Sequence, residues 1–277
     1  MVDLPLGQEV VYVDSYSPDL LCLIARQDSR HSLGITAAQL PFTGVDIWNA
    51  YELSWLNLQG KPIVACAEFR FPCESDSIIE SKSFKLYLNS FNQSRFKSVI
   101  EVEEVLIKDL SLAVNTAVEV IIRELSTVDS ESIQGFKRGS FEGACLDQLD
   151  ISVECYLPNP ELLCISNTAD VIQERLYSHL LRSLCPVTGQ PDWGSVVIEY
   201  TGARIDREGL LTYLIGYRQH QAFHEQCVER MFTDIQSRCK PRQLSVYARY
   251  LRRGGLDINP FRSTGKEIPA NLRLNRQ

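Results

Sequence analysis

Residues 61–91, KPIVACAEFRFPCESDSIIESKSFKLYLNSF, change their periodicity part-way along. The first eleven, 61–71, are apolar and β-branched in an extended pattern and read as a strand. Over 81–91, Phe84, Leu88 and Phe91 recur three to four residues apart, which is one face of a helix. Residues 99–114 then read as a second helix. Residues 117–125, AVEVIIREL, read as a β-branched strand.

The second half repeats this order without repeating the sequence. Residues 171–184 are strand-like, Asp192-Trp193-Gly194 marks a turn, and 195–200, SVVIEY, is a strand. Residues 206–218 and 222–238 are amphipathic helices, and 244–251, LSVYARYL, alternates as a final strand before Gly254-Gly255. Each half therefore reads as strands, two helices, strands: an α+β chain of two domains, 1–157 and 158–277, broken at the LPNP of 157–160. Two unrelated α+β halves would give the same coarse order.

The chain has 277 residues, 44% of them hydrophobic and 23% charged, enough to bury a core without disulfides. Its net charge of −7 disfavours a nucleic-acid binder, which normally presents a basic surface, and points to a small-molecule ligand. The apolar run at residues 20–25 is far too short to span a membrane, and no basic stretch followed by an apolar one opens the chain. Nine cysteines, an odd number in no repeating framework, read as reduced thiols of a cytosolic protein.

The common nucleotide and hydrolase motifs, G-x-G-x-x-G, the P-loop, G-x-S-x-G and C-x-x-C, are missing. Cys185 is followed by Pro186, which stops an element and leaves the thiol at its end, facing a cleft. Asp192 lies seven residues on, after Pro191 and before Trp193-Gly194, as if on the same loop. A thiol and a carboxyl so placed suit nucleophilic attack with proton transfer, while an inert buried cysteine and a turn-forming aspartate fit equally. His224-Glu225 opens a helix. The carboxylate there can accept two hydrogen bonds from a guanine-like edge, or be a solvated helix face. Ser81 and Lys82 at the start of the first helix, and Arg252-Arg253-Gly254-Gly255 near the end of the chain, suit a phosphate, though exposed charge is the plain alternative. His179, Cys185, His224 and Cys227 are zinc-type ligands without zinc-type spacing.

Together these segments resemble the 7-cyano-7-deazaguanine reductases in their long, two-domain form. The resemblance rests on ESKSFKLYLNSFN at 80–92, DIW at 46–48, YELSWLN at 51–57, QPDWGS at 190–195, FHEQCVER at 223–230 and SVYARY with RRGGLDINP at 245–260. It spans about residues 40–277, and the stretch around 128–140 matches less distinctively. The resemblance implies two tandem tunnelling-fold domains, each an antiparallel sheet with two helices on one face. It further implies reduction of the nitrile of 7-cyano-7-deazaguanine to an amine with two NADPH and no metal, by a homodimer acting on a free base rather than on nucleic acid. By resemblance, Cys185 forms a covalent thioimide and Asp192 donates the proton. Glu80, His224 and Glu225 hold the base, lined by Ile79 and Ser81. Ser81, Lys82, Arg253 and Gly254 contact NADPH. On this scheme Asp192 carries a proton near neutrality, its pKa raised by burial and a neighbouring thiolate. Cys73 receives no role. A zinc-dependent cyclohydrolase and a non-catalytic purine- or pterin-binding protein are the alternatives on the same fold.

Overall fold

The computed structural model describes residues 12–36, 39–125, 139–166 and 170–277, so most of the weakly matching stretch at 128–140 lies outside the described residues. In chain order the elements are β1 (Leu23–Ala25), α1 (Arg26–Ser32), β2 (Thr43–Leu56), β3 (Pro62–Pro72), β4 (Ser77–Ile79), α2 (Ser81–Asn89), α3 (Val99–Val114), β5 (Glu119–Glu124) and β6 (Ala144–Cys145). There follow β7 (Val171–Ser178), β8 (Arg182–Leu184), β9 (Pro191–Ala203), α4 (Arg207–Ile215), α5 (His224–Cys239), β10 (Gln243–Tyr250) and β11 (Leu256–Ser263).

The chain is α+β. The strands of its main sheet run in the order β5-β3-β2-β11-β10-β9-β7-β6, with β8 paired to the start of β9, and β1 and β4 form a separate small sheet. Every pair in the main sheet is antiparallel except β6 with β7. The order β2-β3-α2-α3-β5 recurs as β7-β9-α4-α5-β10-β11. The two series meet where β11 pairs with β2, Ile258 opposite Trp48 and Pro260 opposite Asp46.

Alternation assigns the faces. Trp48, Ile258, Arg262, Val246, Tyr250, Gly194 and Asp192 share one face through the cross-strand pairs Trp48–Ile258, Val246–Arg262 and Tyr250–Gly194. The helices cover this face over two apolar cores. One gathers Trp48, Phe69, Phe84, Leu106 and Leu110 beneath α2 and α3, and the other gathers Leu176, Ile198, Leu210, Met231, Phe232 and Val246 beneath α4 and α5. Phe84 packs edge-on against Trp48 at 5.2 Å and Phe69 at 5.0 Å, and burying such a ring stabilises by about 1.5–3 kcal/mol. The other face carries a buried polar set, in which the Gln277 side chain bonds Arg249, Asn259 and the Tyr250 carbonyl.

Caps set the helix ends. Ser98 accepts from the Glu101 N–H at the start of α3, and Asp206 from the Gly209 N–H at the start of α4. Asn115 and Lys240, at φ 54° and 48°, end α3 and α5 in the left-handed conformation.

Three expectations change. The strand expected over 171–184 breaks after Ser178, and β8 turns to pair with β9. Asp192-Trp193-Gly194 is not a turn but the start of β9, because the chain has already reversed within 185–190, where Gly189 takes φ 67° and its N–H bonds the Cys185 carbonyl at 2.9 Å. Strand β11 escaped the reading of periodicity. It is buried along its whole length yet carries Asp257, Asn259, Pro260 and Arg262, so no alternation marks it.

Candidate active site

A cavity of about 320 Å³ opens on the helix-bearing face, over the seam where β2 meets β11. Trp48, Ile79, Ser81, Lys82 and Lys85 enter it from the first series of elements, and Cys185, Asp192, Phe223, His224, Glu225, Arg253 and Gly254 from the second.

Backbone geometry brings the second group together. The Cys185 N–H donates to the Gln190 carbonyl at 2.9 Å, closing the reversal that holds the thiol at the cavity wall. The segment before α5 is tied to the same strand end, since Leu184 N–H donates to the His220 carbonyl at 2.9 Å and Ala222 N–H to the Leu184 carbonyl at 3.2 Å. The start of α5 is thereby fixed beside Cys185, and Gln226 reaches back to accept from the Phe223 N–H at 3.1 Å. Between β10 and β11 the chain turns through Gly254 and Gly255 at φ 59° and 81°, a two-residue reversal that suits glycine. A side chain at Gly255 would lie 2.5 Å from the Glu52 carboxyl.

Arg253 donates from one nitrogen to Asp192 at 2.5 Å and from another to the Gln190 side chain at 2.7 Å, clamping the thiol's turn to the carboxylate. His224 approaches Asp192 from the other side, Nε2 to Oδ2 at 3.4 Å, with its ring stacked on Tyr250 at 3.7 Å. Burial alone would raise the Asp192 pKa, but the hydrogen bond and charge of His224 and those of Arg253 outweigh it and hold the carboxyl below its usual range. The expectation that Asp192 rests protonated is therefore corrected: at neutral pH it is a carboxylate between two cationic or donor groups.

Glu225 behaves oppositely. Burial, joined by the negative charge of Asp46, pushes it up to about 7 against the opposing pull of His224 and Arg26. Burial likewise drives the Cys227 and Cys73 thiols up to about 12, so both stay protonated and unreactive.

Glu80 is fully buried and does not line the cavity. Its two oxygens accept from the N–H groups of Lys82 and Ser83 at 2.9 and 2.8 Å, capping α2. Two of the helix-start donors expected to hold a phosphate, those of Lys82 and Ser83, are thus already taken. Ser81 and Lys82 still reach the cavity through their side chains, beside Arg253 and Gly254. The four sequence-flagged zinc-type residues do not gather. His179 bonds Ser195, whose side chain belongs to the opposite face, at 2.8 Å, and among the described residues no three His, Cys, Asp or Glu side chains converge. No helix among the described residues is long and apolar enough to cross a membrane.

The sequence reading missed Trp48, Lys85, Gln190 and Phe223 as cavity residues. All four lie inside the quoted motifs, but nothing in their chemistry marked them as cavity residues. Lys85 bonds Glu52 at 3.0 Å, a partner that no spacing reveals.

Against known proteins, the family profile "Nitrile reductase, 7-cyano-7-deazaguanine-reductase N-term" matches residues 12–122, and "QueF-like protein" matches 191–269. Three curated proteins bear the name NADPH-dependent 7-cyano-7-deazaguanine reductase. That of Azoarcus sp. is 53% identical over 96% of this chain and 92% of its own length. That of Dechloromonas aromatica is 54% identical over 99% and 95%. That of Aromatoleum aromaticum is 55% identical over 94% and 90%. The chain belongs to the 7-cyano-7-deazaguanine reductase family. The two profile matches of this reductase family contribute opposite walls of the cavity, Trp48, Ile79, Ser81 and Lys82 from one and Asp192, His224, Glu225 and Arg253 from the other, while Cys185 falls between them. A solved structure of an archaeosine synthase QueF-Like protein in the apo form aligns at a TM-score of 0.31 and 17% identity, covering 36% of this chain and 100% of that one, a likeness too slight to bear on the fold.

Proposed function

We propose that the chain reduces the nitrile of 7-cyano-7-deazaguanine to the primary amine 7-aminomethyl-7-deazaguanine, with two NADPH, in queuosine biosynthesis. The observation that carries the mechanism is that one cavity holds a thiol, a carboxylate clamped by an arginine and a histidine, and a buried carboxyl. A nitrile carbon is an electrophile suited to a thiolate. Asp192, ionised at rest, accepts the Cys185 proton. The sulfur bonds the nitrile carbon while one C–N π bond breaks, and Asp192 returns the proton to nitrogen, giving a covalent thioimide. Base first and acid second, Asp192 needs no raised resting pKa. Once the first hydride has added to carbon, the nitrogen lone pair forms a C=N bond as the C–S bond breaks. Sulfur leaves with the bonding pair as the Cys185 thiolate, and the resulting imine takes the second hydride and a proton.

Glu225 presents two acceptors to the N1–H and 2-amino donors of the base, with His224 beside it and Ile79 and Ser81 lining the pocket. The donor set at the mouth fits an anionic dinucleotide: Lys82 and Arg253 are cationic, Ser81 offers a hydroxyl, and Gly254 takes φ 59° where a side chain would meet Lys85 at 3.1 Å. Bound there, NADPH supplies hydride to carbon. Glu80 acts on the base through the start of α2 or directly, which the Glu80 variants in the Discussion separate.

The repeated order of elements supports two tandem tunnelling-fold domains, 1–157 and 158–277, and we take the protein as a cytosolic homodimer. The deciding experiment is loss of the NADPH absorbance with and without the nitrile base, with mass spectrometry of the product. Oxidation that requires the base and gives a product four hydrogens heavier supports the reading. Binding of the base with no oxidation rejects it.

A further inference from the structure

The helix that brings Glu225 to the cavity carries Glu229 one turn on, also buried. Three guanidiniums surround Glu229. Arg30 donates to both its oxygens, at 2.9 and 2.7 Å, and Arg262 donates twice to one of them, at 3.1 and 2.8 Å. Arg26 lies 3.8 Å away and is bonded to Asp46 at 2.5 Å, which also accepts from Arg262 at 2.7 Å. These five residues come from α1, β2, α5 and β11 and are each at most 4% exposed. Asp46 and Arg262 stand on the helix-bearing face, at the seam beside the cavity. Burying ions is costly, and apolar packing is often as stabilising, so a cluster of this size calls for a use beyond stability.

We propose that this buried ion cluster positions Glu225 and sets its charge, which makes Arg26, Arg30, Asp46, Glu229 and Arg262 positioning residues for base recognition. The proposal rests on the reading of Glu225 as the acceptor for the base edge. Geometry supplies the first half. Glu229 pins α5 one turn beyond Glu225 to strand β11 and to α1. Arg30 also donates to the Cys73 carbonyl at 2.7 Å, and Arg26 to Ser75 at 3.0 Å, so the segment after β3 is held in the same clamp. Charge supplies the second half. The groups acting on Glu225 are His224 of its own helix, Asp46 of β2 and Arg26 of α1. Asp46 opposes ionisation and the other two favour it. Glu229 and Arg262 act behind them by balancing Arg26 and Asp46. Helix α1, which lies ahead of the motifs quoted from the sequence, is thereby part of the recognition machinery.

Calorimetric titration with the nitrile base, in a Cys185→Ala background, tests this across pH. In the parent, affinity should rise with pH to a plateau, with a midpoint at about 7. Asp46→Asn removes an opposing charge and should move the midpoint down by about one pH unit. Arg26→Gln removes a favouring charge and should move it up by a similar amount. A general loosening of the site would not shift the two in opposite directions. Arg26→Lys keeps the charge but loses the planar fork. It should hold the midpoint while weakening affinity, and it serves where Arg26→Gln does not fold. Midpoints unmoved in folded Asp46→Asn and Arg26→Gln, or moved in Arg26→Lys, overturn the proposal. Glu225→Gln separates the underlying reading. It should flatten the pH profile and weaken binding at least about tenfold. Parental binding in that variant rejects the base-edge reading itself, whatever the cluster does.

Discussion

At Asp192 two cationic or donor neighbours overcome burial, and at Glu225 burial overcomes its neighbours. Two carboxyls in one cavity are thus set for different work. The acid limb of base binding should lie at about 7, where Glu225 takes up a proton, and should persist in Asp192→Asn. Asp192, with its pKa depressed, stays ionised as pH falls until below the ordinary carboxylate range, so it adds no limb near neutrality. Turnover of Asp192→Asn, measured by NADPH oxidation, should fall by roughly 10²–10⁴ while base affinity survives better. Intact-mass measurement with the nitrile base and no NADPH should show one adduct per chain. Cys185→Ala should abolish it, whereas Cys145→Ala and Cys239→Ala should not. An adduct persisting without Cys185 would assign the nucleophile elsewhere.

At the scale of the element, Glu80 joins a cap to a site. Its carboxylate satisfies two N–H groups of α2, and α2 in turn presents Ser81, Lys82 and Lys85 to the cavity. Glu80→Ala should lower stability in urea by about 1 kcal/mol, the usual worth of an N-cap. Glu80→Ser keeps a capping oxygen and removes the charge. If the residue acts on the base only through the helix, calorimetry should give Glu80→Ser nearly parental affinity. If it touches the base, both variants should lose affinity alike. Lys240 ends α5 at φ 48° and is exposed, so Lys240→Gly should raise the urea midpoint, equivalent to about 0.5–1 kcal/mol.

Across the whole molecule, the seam between β2 and β11 makes one sheet of the two series and also underlies the cavity. Gly44 allows the strands to close there, since a Cβ at that position would stand 2.0 Å from the Phe261 carbonyl oxygen. Gly44→Ala should therefore cost about 3 kcal/mol or more, at the upper end of single substitutions. Thermal unfolding should show both series lost in one earlier transition. A variant of parental stability, or one in which only half the signal moves, would mean that the seam does not couple them.

The sequence by itself determined the α+β order, the bounds of α3, the start of α5 at His224 and the residue types of the site, because helical periodicity and capping are local and thiol, carboxyl and imidazole keep their chemistry wherever the chain puts them. Only the tertiary structure decided how those groups are tuned and partnered. Asp192 is held ionised by His224 and Arg253, 32 and 61 residues away, and Glu229 is met by Arg30, 199 residues away. Strand β11 was invisible for the same reason: its polar residues are buried because distant partners satisfy them, which leaves no alternation to read. Electrostatic tuning and buried pairing depend on distance in space, and neither periodicity nor spacing along the chain encodes which remote residues come within 4 Å of one another.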